Sequence, residues 1–396
     1  MSVESAPMEG VRVLDVGHLI AGPMTASVLG DFGADVIKIE RPGIGDPLRW
    51  NYPHDGVGLF HKVQGRNKRN ITLNLATERG RDIFHELVRQ SDVIVENFRP
   101  GVMERLVGDW ETLSALNPGL IYCRVSGWGQ TGPYRHRTSF GRIAEAFSGF
   151  AAITGESDGP PMHSTMSLGD SVAAVWAANA VTMALYWRDA RGGTGQVIDL
   201  ALYEPLYRQI EQQIAVMDKT GTAPHRAGNQ NDGTPVMGSY PTADGEFFSF
   251  SANTMKSIRA VMKAVGLQDD SRFSDFDGCS INHAALHKHI SAFFETRTAA
   301  QLQVIFDDAD APGTMVMNAR DLISDPHVRA REMVVELPDD DLGTIRMQGV
   351  VPKFSKTPGV VRHAGQRMGQ SNVEVYGELL GYDGSDLEAL HEEGVI

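Results

Sequence analysis

Asp170 stands in the run Ser167-Leu168-Gly169-Asp170-Ser171, at the head of an apolar stretch from Val172 to Trp187 that carries no charge until Arg188. Two chemistries suit an aspartate there. It can cap a helix, its carboxylate accepting a first-turn N–H and its charge complementing that helix end. It can also be a nucleophile, because a carboxylate that attacks an activated acyl group becomes an acyl anhydride or thioester and is later released intact. Gly169 admits close approach to the backbone, and unpaired N–H groups nearby could hold an oxyanion. The pentapeptide alone leaves both readings open.

Other residues with chemical potential are scattered. Basic clusters occur at Arg66-Asn67-Lys68-Arg69 and Arg135-His136-Arg137, each readable as a solvated loop or as a local field for an anion. The formal net charge of −14 argues against nonspecific nucleic-acid binding, but a small anionic ligand meets only a local field. Cys123 and Cys279 are far apart and form no metal or redox motif, so a reducing, cytoplasmic setting without a structural disulfide is expected, and no metal site. Apolar content of 42% and charged content of 22% are those of a soluble globular protein. Met1 to Glu9 has no basic region or apolar core, so no secretory signal is read there. No stretch reaches the ~18 uncharged apolar residues of a spanning helix. Val172–Trp187 falls short and is interrupted by Asn179 and Thr182, so no membrane association is expected.

The elements that must position these residues alternate. Val11–Val16 reads as a strand, Gly17–Gly22 as a turn, Pro23–Phe32 as a helix with proline at its start, and Asp35–Glu40 as a second strand. The turn lacks Gly-x-Gly-x-x-Gly, which leaves a nicotinamide dehydrogenase as a weak alternative. Strands at Asn70–Leu75, Asp92–Val95, Leu120–Val125 and Val197–Leu200 continue the pattern. Helices lie at Thr77–Gln90, near Gly101, near Asp109 and at Ile143–Phe150. Such alternation predicts a parallel sheet with helices on both faces, with ligands beyond the C-terminal strand ends. Those ends carry Gly17-His18, Glu40-Arg41, Asn97-Phe98 and Ser126-Gly127.

A chain of 396 residues exceeds one ordinary core. The expected layout is the first part of a large domain over 1–205, a connector over 206–233, a smaller α+β domain over 234–325 and a return to the large domain over 326–396. Within it, Tyr203–Lys219 reads as one long helix, Gly238–Phe250 as a hairpin turning at Asp244-Gly245, and the segment after Gly349 as a polar tail.

Taken together, the motifs resemble the class III CoA-transferase family, which includes formyl-CoA transferase, carnitine CoA-transferases and 2-methylacyl-CoA racemases. The resemblance covers nearly the whole chain. It rests on Val13-Leu14-Asp15 with Ala21-Gly22-Pro23, on Gly33–Arg41, on Asn67-Lys68-Arg69 and on Val95-Glu96-Asn97-Phe98-x-Pro100-Gly101. It continues through Gly129-Gln130-Thr131-Gly132-Pro133-Tyr134, Gly159-Pro160-Pro161 and Leu168-Gly169-Asp170. The resemblance implies an α/β, Rossmann-like large domain that binds CoA, and an interlocked homodimer. It makes Asp170 the nucleophile, forming an aspartyl-acyl anhydride and then an aspartyl-CoA thioester. It implies CoA contacts at Arg41, the Leu73–Leu75 neighbourhood with Asn67-Lys68-Arg69 before it, Asn97, Phe98 and Arg105, with Arg137 as a further phosphate partner. CoA thioesters enter as substrates, and no tightly bound cofactor is expected.

The pattern departs from formyl-CoA transferase at Ile20, where that enzyme carries Gln, which argues against oxalate. Its small-domain Gly loop finds only a weak counterpart in Gly228–Gly233. Phe140–Phe147 and Tyr203–Arg208 resemble the branch that moves CoA between succinyl-CoA and C4–C5 dicarboxylates: malate, citramalate, mesaconate or itaconate. A dicarboxylate needs a cation for its nonreacting end. Arg142 is the candidate, with His163 or Arg135 behind it. A racemase would need a histidine opposite the aspartate. The corresponding position is Ser139 or Phe140, with only His136 nearby, so the racemase and a noncatalytic CoA-binding protein stand as alternatives.

Overall fold

A computed structural model describes residues 6–231 and 233–396. The chain divides into two compact units. One comprises the chain up to Phe150, Ser164–Gln212 and Arg329–Ile396, and the other Ala151–His163 and Gln213–Val328. Ala151–His163, which chain order alone groups with the large domain, therefore clusters with the second unit.

The first unit is built on a six-stranded sheet. Its opening elements are β1 (Arg12–Asp15), α1 (Ala21–Asp31), β2 (Asp35–Glu40), β3 (Lys68–Thr72), α2 (Glu78–Arg89) and β4 (Val93–Glu96). Then come α3 (Val102–Val107), α4 (Trp110–Leu116), β5 (Ile121–Ser126), α5 (Gly141–Phe147), α6 (Leu168–Arg191), β6 (Gln196–Ala201) and α7 (Tyr203–Gln209). The strand order is β3-β2-β1-β4-β5-β6, and every pairing is parallel. This is the doubly wound α/β arrangement, whose order reverses between β1 and β4 and so leaves a crevice beyond those two strand ends.

The local reasons are legible in the residues. β2 reads Asp-Val-Ile-Lys-Ile-Glu and is buried from its second residue on, as a strand covered on both faces must be. α2 is capped by Thr77, whose hydroxyl accepts the Gly80 N–H at 3.0 Å, and it buries Ile83, Phe84, Leu87 and Val88. α6 lays Ala173, Ala174, Ala177, Ala178, Val181 and Ala184 into the core. Small residues on that face let it pack closely on α1. By length and composition alone α6 is long and apolar enough to cross a bilayer. Part of that length is buried as the core helix of this unit.

Three other expectations change. The long helix from Tyr203 to Lys219 is broken into Tyr203–Gln209 and Gln213–Thr220, because Glu211 takes a left-handed conformation (φ 55°) that no α-helix continues through. The polar tail is not structureless: Asn372–Leu380 and Gly384–Glu392 are helices, and Tyr376 is fully buried with its hydroxyl donating to the Thr72 carbonyl at 2.6 Å. The strand ending the Asn67-Lys68-Arg69 motif starts two residues early, at Lys68, and stops at Thr72 rather than Leu75.

The second unit has its own core. Strands Met237–Pro241 and Phe247–Ser251 form the expected hairpin, with Gly313–Met315 added antiparallel on its other side. Phe248, Phe250, Phe294 and Phe306 pack edge-on or tilted at centroid distances of 4.9–6.3 Å beneath helices Met255–Ala264, His283–Glu295 and Ala299–Asp308.

Candidate active site

A cleft of about 800 Å³ opens at the reversal point of the sheet. It is lined from the β1 turn by His18, Leu19 and Ile20, and from the end of β4 by Asn97, Phe98, Arg99 and Pro100. The loop after β5 contributes Gly127, Arg135, Arg137 and Ser139, α5 contributes Arg142 and Glu145, and the head of α6 contributes Ser167 and Asp170. All of these belong to the first unit.

Asp170 is not a helix cap. α6 begins at Leu168, with Ser167 in the N-cap position and making no side-chain cap bond, so Asp170 is a first-turn residue whose carboxylate turns elsewhere. It lies against Gly141 at the start of α5. Burial pushes its pKa up to about 6, with the Gly141 amide pulling it down and the Glu145 carboxylate pushing it further up. Near neutral pH the group is ionised yet poorly solvated, which favours nucleophilic attack on an acyl carbon.

The turn carrying His18 to Ile20 is held by side chains from three directions. The Gly17 N–H donates to Asp15 Oδ1 at 3.0 Å, the His18 N–H to Asn97 Oδ1 at 2.8 Å and the Leu19 N–H to Asp46 Oδ1 at 3.2 Å. Asn97 also donates to the His18 carbonyl at 2.8 Å. Leu19 itself has φ of 61°, a conformation such a residue keeps only when its surroundings impose it. Beneath the turn lies a network of fully buried charge. Lys38 Nζ sits 3.1 Å from Asp46 and 3.7 Å from Asp15 and donates to the Gly17 carbonyl, while Lys68 Nζ bonds Asp15 at 2.8 Å and the Pro23 carbonyl at 2.6 Å. Burial depresses the Lys38 pKa, but Asp15, Asp46 and Glu40 outweigh it, and the net shift is upward. His18 packs edge-on to Phe98 at 4.9 Å, and burial, aided by Lys38, lowers its pKa.

The residues expected to contact CoA fall into two groups. Asn97, Phe98 and Arg137 line the cleft, and Arg137 lies over the Tyr134 ring, its guanidinium carbon 3.6 Å from the centroid. The others lie outside its lining. Leu73 is buried in the core and its N–H is already given to the Glu40 carbonyl, Leu75 packs beside that core, and Arg41 and Arg105 are exposed. The Asn67-Lys68-Arg69 motif is spent on the scaffold. Asn67 donates to Asp31 at 2.8 Å and to the Val360 carbonyl at 2.9 Å, Lys68 meets Asp15, and Arg69 bonds Asp35, Glu374 and Glu378. The three side chains of this run are thus engaged within the first unit, by carboxylates and by backbone carbonyls.

Arg142 lines the cleft, one Nη donating to the Ser164 carbonyl at 3.3 Å, and Glu145 Oε2 accepts the Ser164 N–H at 3.2 Å. Arg135 also lines the cleft, whereas His163 belongs to the second unit. At the positions a racemase would need, Ser139 and Phe140 line the cleft and His136 does not. Glu145, the Asp15–Lys38–Asp46 network and Gly141 are absent from the sequence-based set. The available signal was a lysine inside the otherwise apolar core of β2.

The sequence pattern of CoA-transferase family III matches residues 8–372. The chain belongs to this family. It is 42% identical over 395 residues, 98% of each chain, to a succinyl-CoA–D-citramalate CoA-transferase of Chloroflexus aurantiacus. It is 36% identical, again over 98% of each, to the beta subunit of a succinyl-CoA–L-malate CoA-transferase from the same organism. Among solved structures, a CAIB/BAIF family protein from Brucella suis superposes with a TM-score of 0.85 at 27% identity, covering 95% of this chain and all of that one. Family membership agrees with an α/β transferase of acyl-CoA substrates.

Proposed function

We propose that this protein transfers CoA from succinyl-CoA to a C4–C5 dicarboxylic acid, with Asp170 as the nucleophile. The observation that carries the reading is the Asp170 carboxylate at the base of a cleft whose wall bears arginines, in a chain similar end to end to succinyl-CoA:dicarboxylate transferases. The Asp170 carboxylate attacks the thioester carbonyl and expels CoA thiolate, leaving an aspartyl-succinyl anhydride. The thiolate then attacks the aspartyl carbonyl, which releases succinate and leaves an aspartyl-CoA thioester. The acceptor carboxylate attacks that thioester, forming a second mixed anhydride, and the thiolate takes the acceptor's acyl carbon to free Asp170. No proton need be transferred, so the site requires no histidine partner, in keeping with Ser139 and Phe140 where a racemase would place one.

Arg142 holds the nonreacting carboxylate in this proposal, with Arg135 behind it, Arg137 toward the phosphates, and Asn97 and Phe98 framing the pantetheine path. Donor and acceptor are then alike at their far ends, and one cation serves both half-reactions. The active form is proposed to be an interlocked homodimer. The outer face of α6 supports assembly, since Val175, Trp176, Met183, Tyr186 and Trp187 are exposed there. The deciding experiment is a panel: malate, citramalate, mesaconate, itaconate, glutarate and oxalate, each incubated with succinyl-CoA and the products identified by mass spectrometry. Formation of a dicarboxylyl-CoA supports the reading, and turnover only with oxalate or only with monocarboxylates would overturn it.

A further inference from the structure

We infer that Gly141 is a positioning residue for the nucleophile: the side chain it lacks is what lets the Asp170 carboxylate rest against the backbone at the start of α5. This inference rests on the proposal that Asp170 is that nucleophile. A Cβ built on Gly141 would overlap Asp170 Oδ2 and come 3.0 Å from Asp170 Cγ and 3.2 Å from its backbone nitrogen. The carboxylate thus occupies the space that any other residue type would fill. A second glycine completes the contact from the opposite side. A Cβ on Gly169 would lie 2.5 Å from the Gly141 carbonyl oxygen and 3.1 Å from its carbon and Cα. The start of α6 therefore meets the start of α5 backbone to backbone, through one glycine from each.

Neither glycine is chosen for its backbone angle. Both have negative φ values that any residue tolerates, and both are buried. The requirement is steric, and it links two separate motifs, Phe140-Gly141-Arg142 and Leu168-Gly169-Asp170. Its consequence is directional. With Oδ2 seated against α5, the carboxylate has one fixed orientation in the cleft, and the Gly141 amide is the nearby group that favours its ionised form against the cost of burial. Orientation is where such a reaction gains rate, since displacement of a reacting group by about 1 Å can cost roughly 100-fold.

The test uses the acceptor-free half of the reaction, exchange of isotope-labelled succinate into succinyl-CoA. Gly141→Ala should lower the exchange kcat by about 100-fold while leaving the KM for succinyl-CoA within about twofold. Its acid limb should move to higher pH, because the displaced carboxylate loses the Gly141 amide. Exchange within about twofold of the parent, or an unmoved acid limb with an equal rise in KM, would overturn the inference. Stability supplies an independent arm. Gly141→Ala should lower the melting temperature in the native background and much less in an Asp170→Ala background, where the colliding group is gone. If Gly141→Ala alone does not fold, the Gly141→Ala/Asp170→Ala double variant should. Failure of both, or equal destabilisation in both backgrounds, would show that the carboxylate is not what occupies the space. Asp170→Asn separates the two claims: wild-type exchange in that variant defeats the nucleophile, whereas its silence beside a normal Gly141→Ala defeats only the positioning role.

Discussion

Asp170 combines a first-turn position with burial and a neighbouring carboxylate, and its pKa of about 6 follows from that environment. Two outcomes are expected. The rate constant kcat/KM should fall as pH drops through about 6, because the protonated acid is no nucleophile. Asp170→Asn should abolish transfer yet make the fold more stable near pH 7.5. A carboxyl whose folded pKa lies above its unfolded value destabilises the fold where it is ionised. The gain, about 1–2 kcal/mol after allowance for partial exposure, should therefore shrink as pH falls from about 6 to about 4 and vanish below. Thermal melts of the two proteins across that range would check the sign, and a variant less stable at neutral pH would contradict it. At Arg142 the comparison between acceptors is informative. Arg142→Ala should weaken kcat/KM for a dicarboxylate by ~1.5–3 kcal/mol and leave a monocarboxylate nearly unchanged. Equal losses on both would assign Arg142 to the scaffold through its bond to the Ser164 carbonyl. Lysine should rescue in part, keeping charge and losing the fork.

At the scale of elements, the cleft is the product of turns rather than of helices or strands. The β1 turn holds a leucine at positive φ by spending three N–H groups on Asp15, Asn97 and Asp46. Buried ion pairs are costly and seldom the cheapest way to stabilise a core. Asp46 and Lys38 therefore make most sense as the fastening of that turn. Asp46→Ala should destabilise by about 3 kcal/mol, since it leaves a buried ammonium short of a partner. Replacing both, as Asp46→Leu with Lys38→Met, should recover much of the stability but not the turnover, because Leu19 remains unfastened. Paired denaturation curves and exchange rates would show it, and full recovery of activity in the double variant would remove the network from the site's support.

At the scale of the molecule, the proposed homodimer predicts twice the chain mass in light scattering at micromolar concentration. A charge placed on the exposed face of α6, as in Trp176→Glu, should produce monomer or aggregate. A parent protein running at the mass of one chain would contradict the assembly. The acyl preference belongs to the same scale, because a shared cation for donor and acceptor implies that succinyl-CoA outperforms acetyl-CoA as donor. Competition between the two donors, read by mass spectrometry, measures that ratio directly.

Patterning along the chain was enough for the sheet strands, their parallel sense, α2 with its Thr77 cap and the hairpin of the second unit, since period, caps and turn residues are local properties. It left Asp170 open between cap and nucleophile, and only the resemblance of several motifs in one order along the chain singled it out as the nucleophile. Tertiary structure alone decided what the polar residues of those elements do. Lys68 looks like a surface or phosphate-binding lysine in the chain, yet it ends in the core with Lys38, both beside Asp15. Asp170 looked like a cap until packing of α5 against α6 gave its carboxylate another neighbour. Gly141 carried no signal, because a glycine required for the approach of a residue 29 positions away is indistinguishable, in sequence, from any other. Partners far apart along the chain are chosen by the fold, and charge, burial and steric fit become readable only once the fold has brought them together.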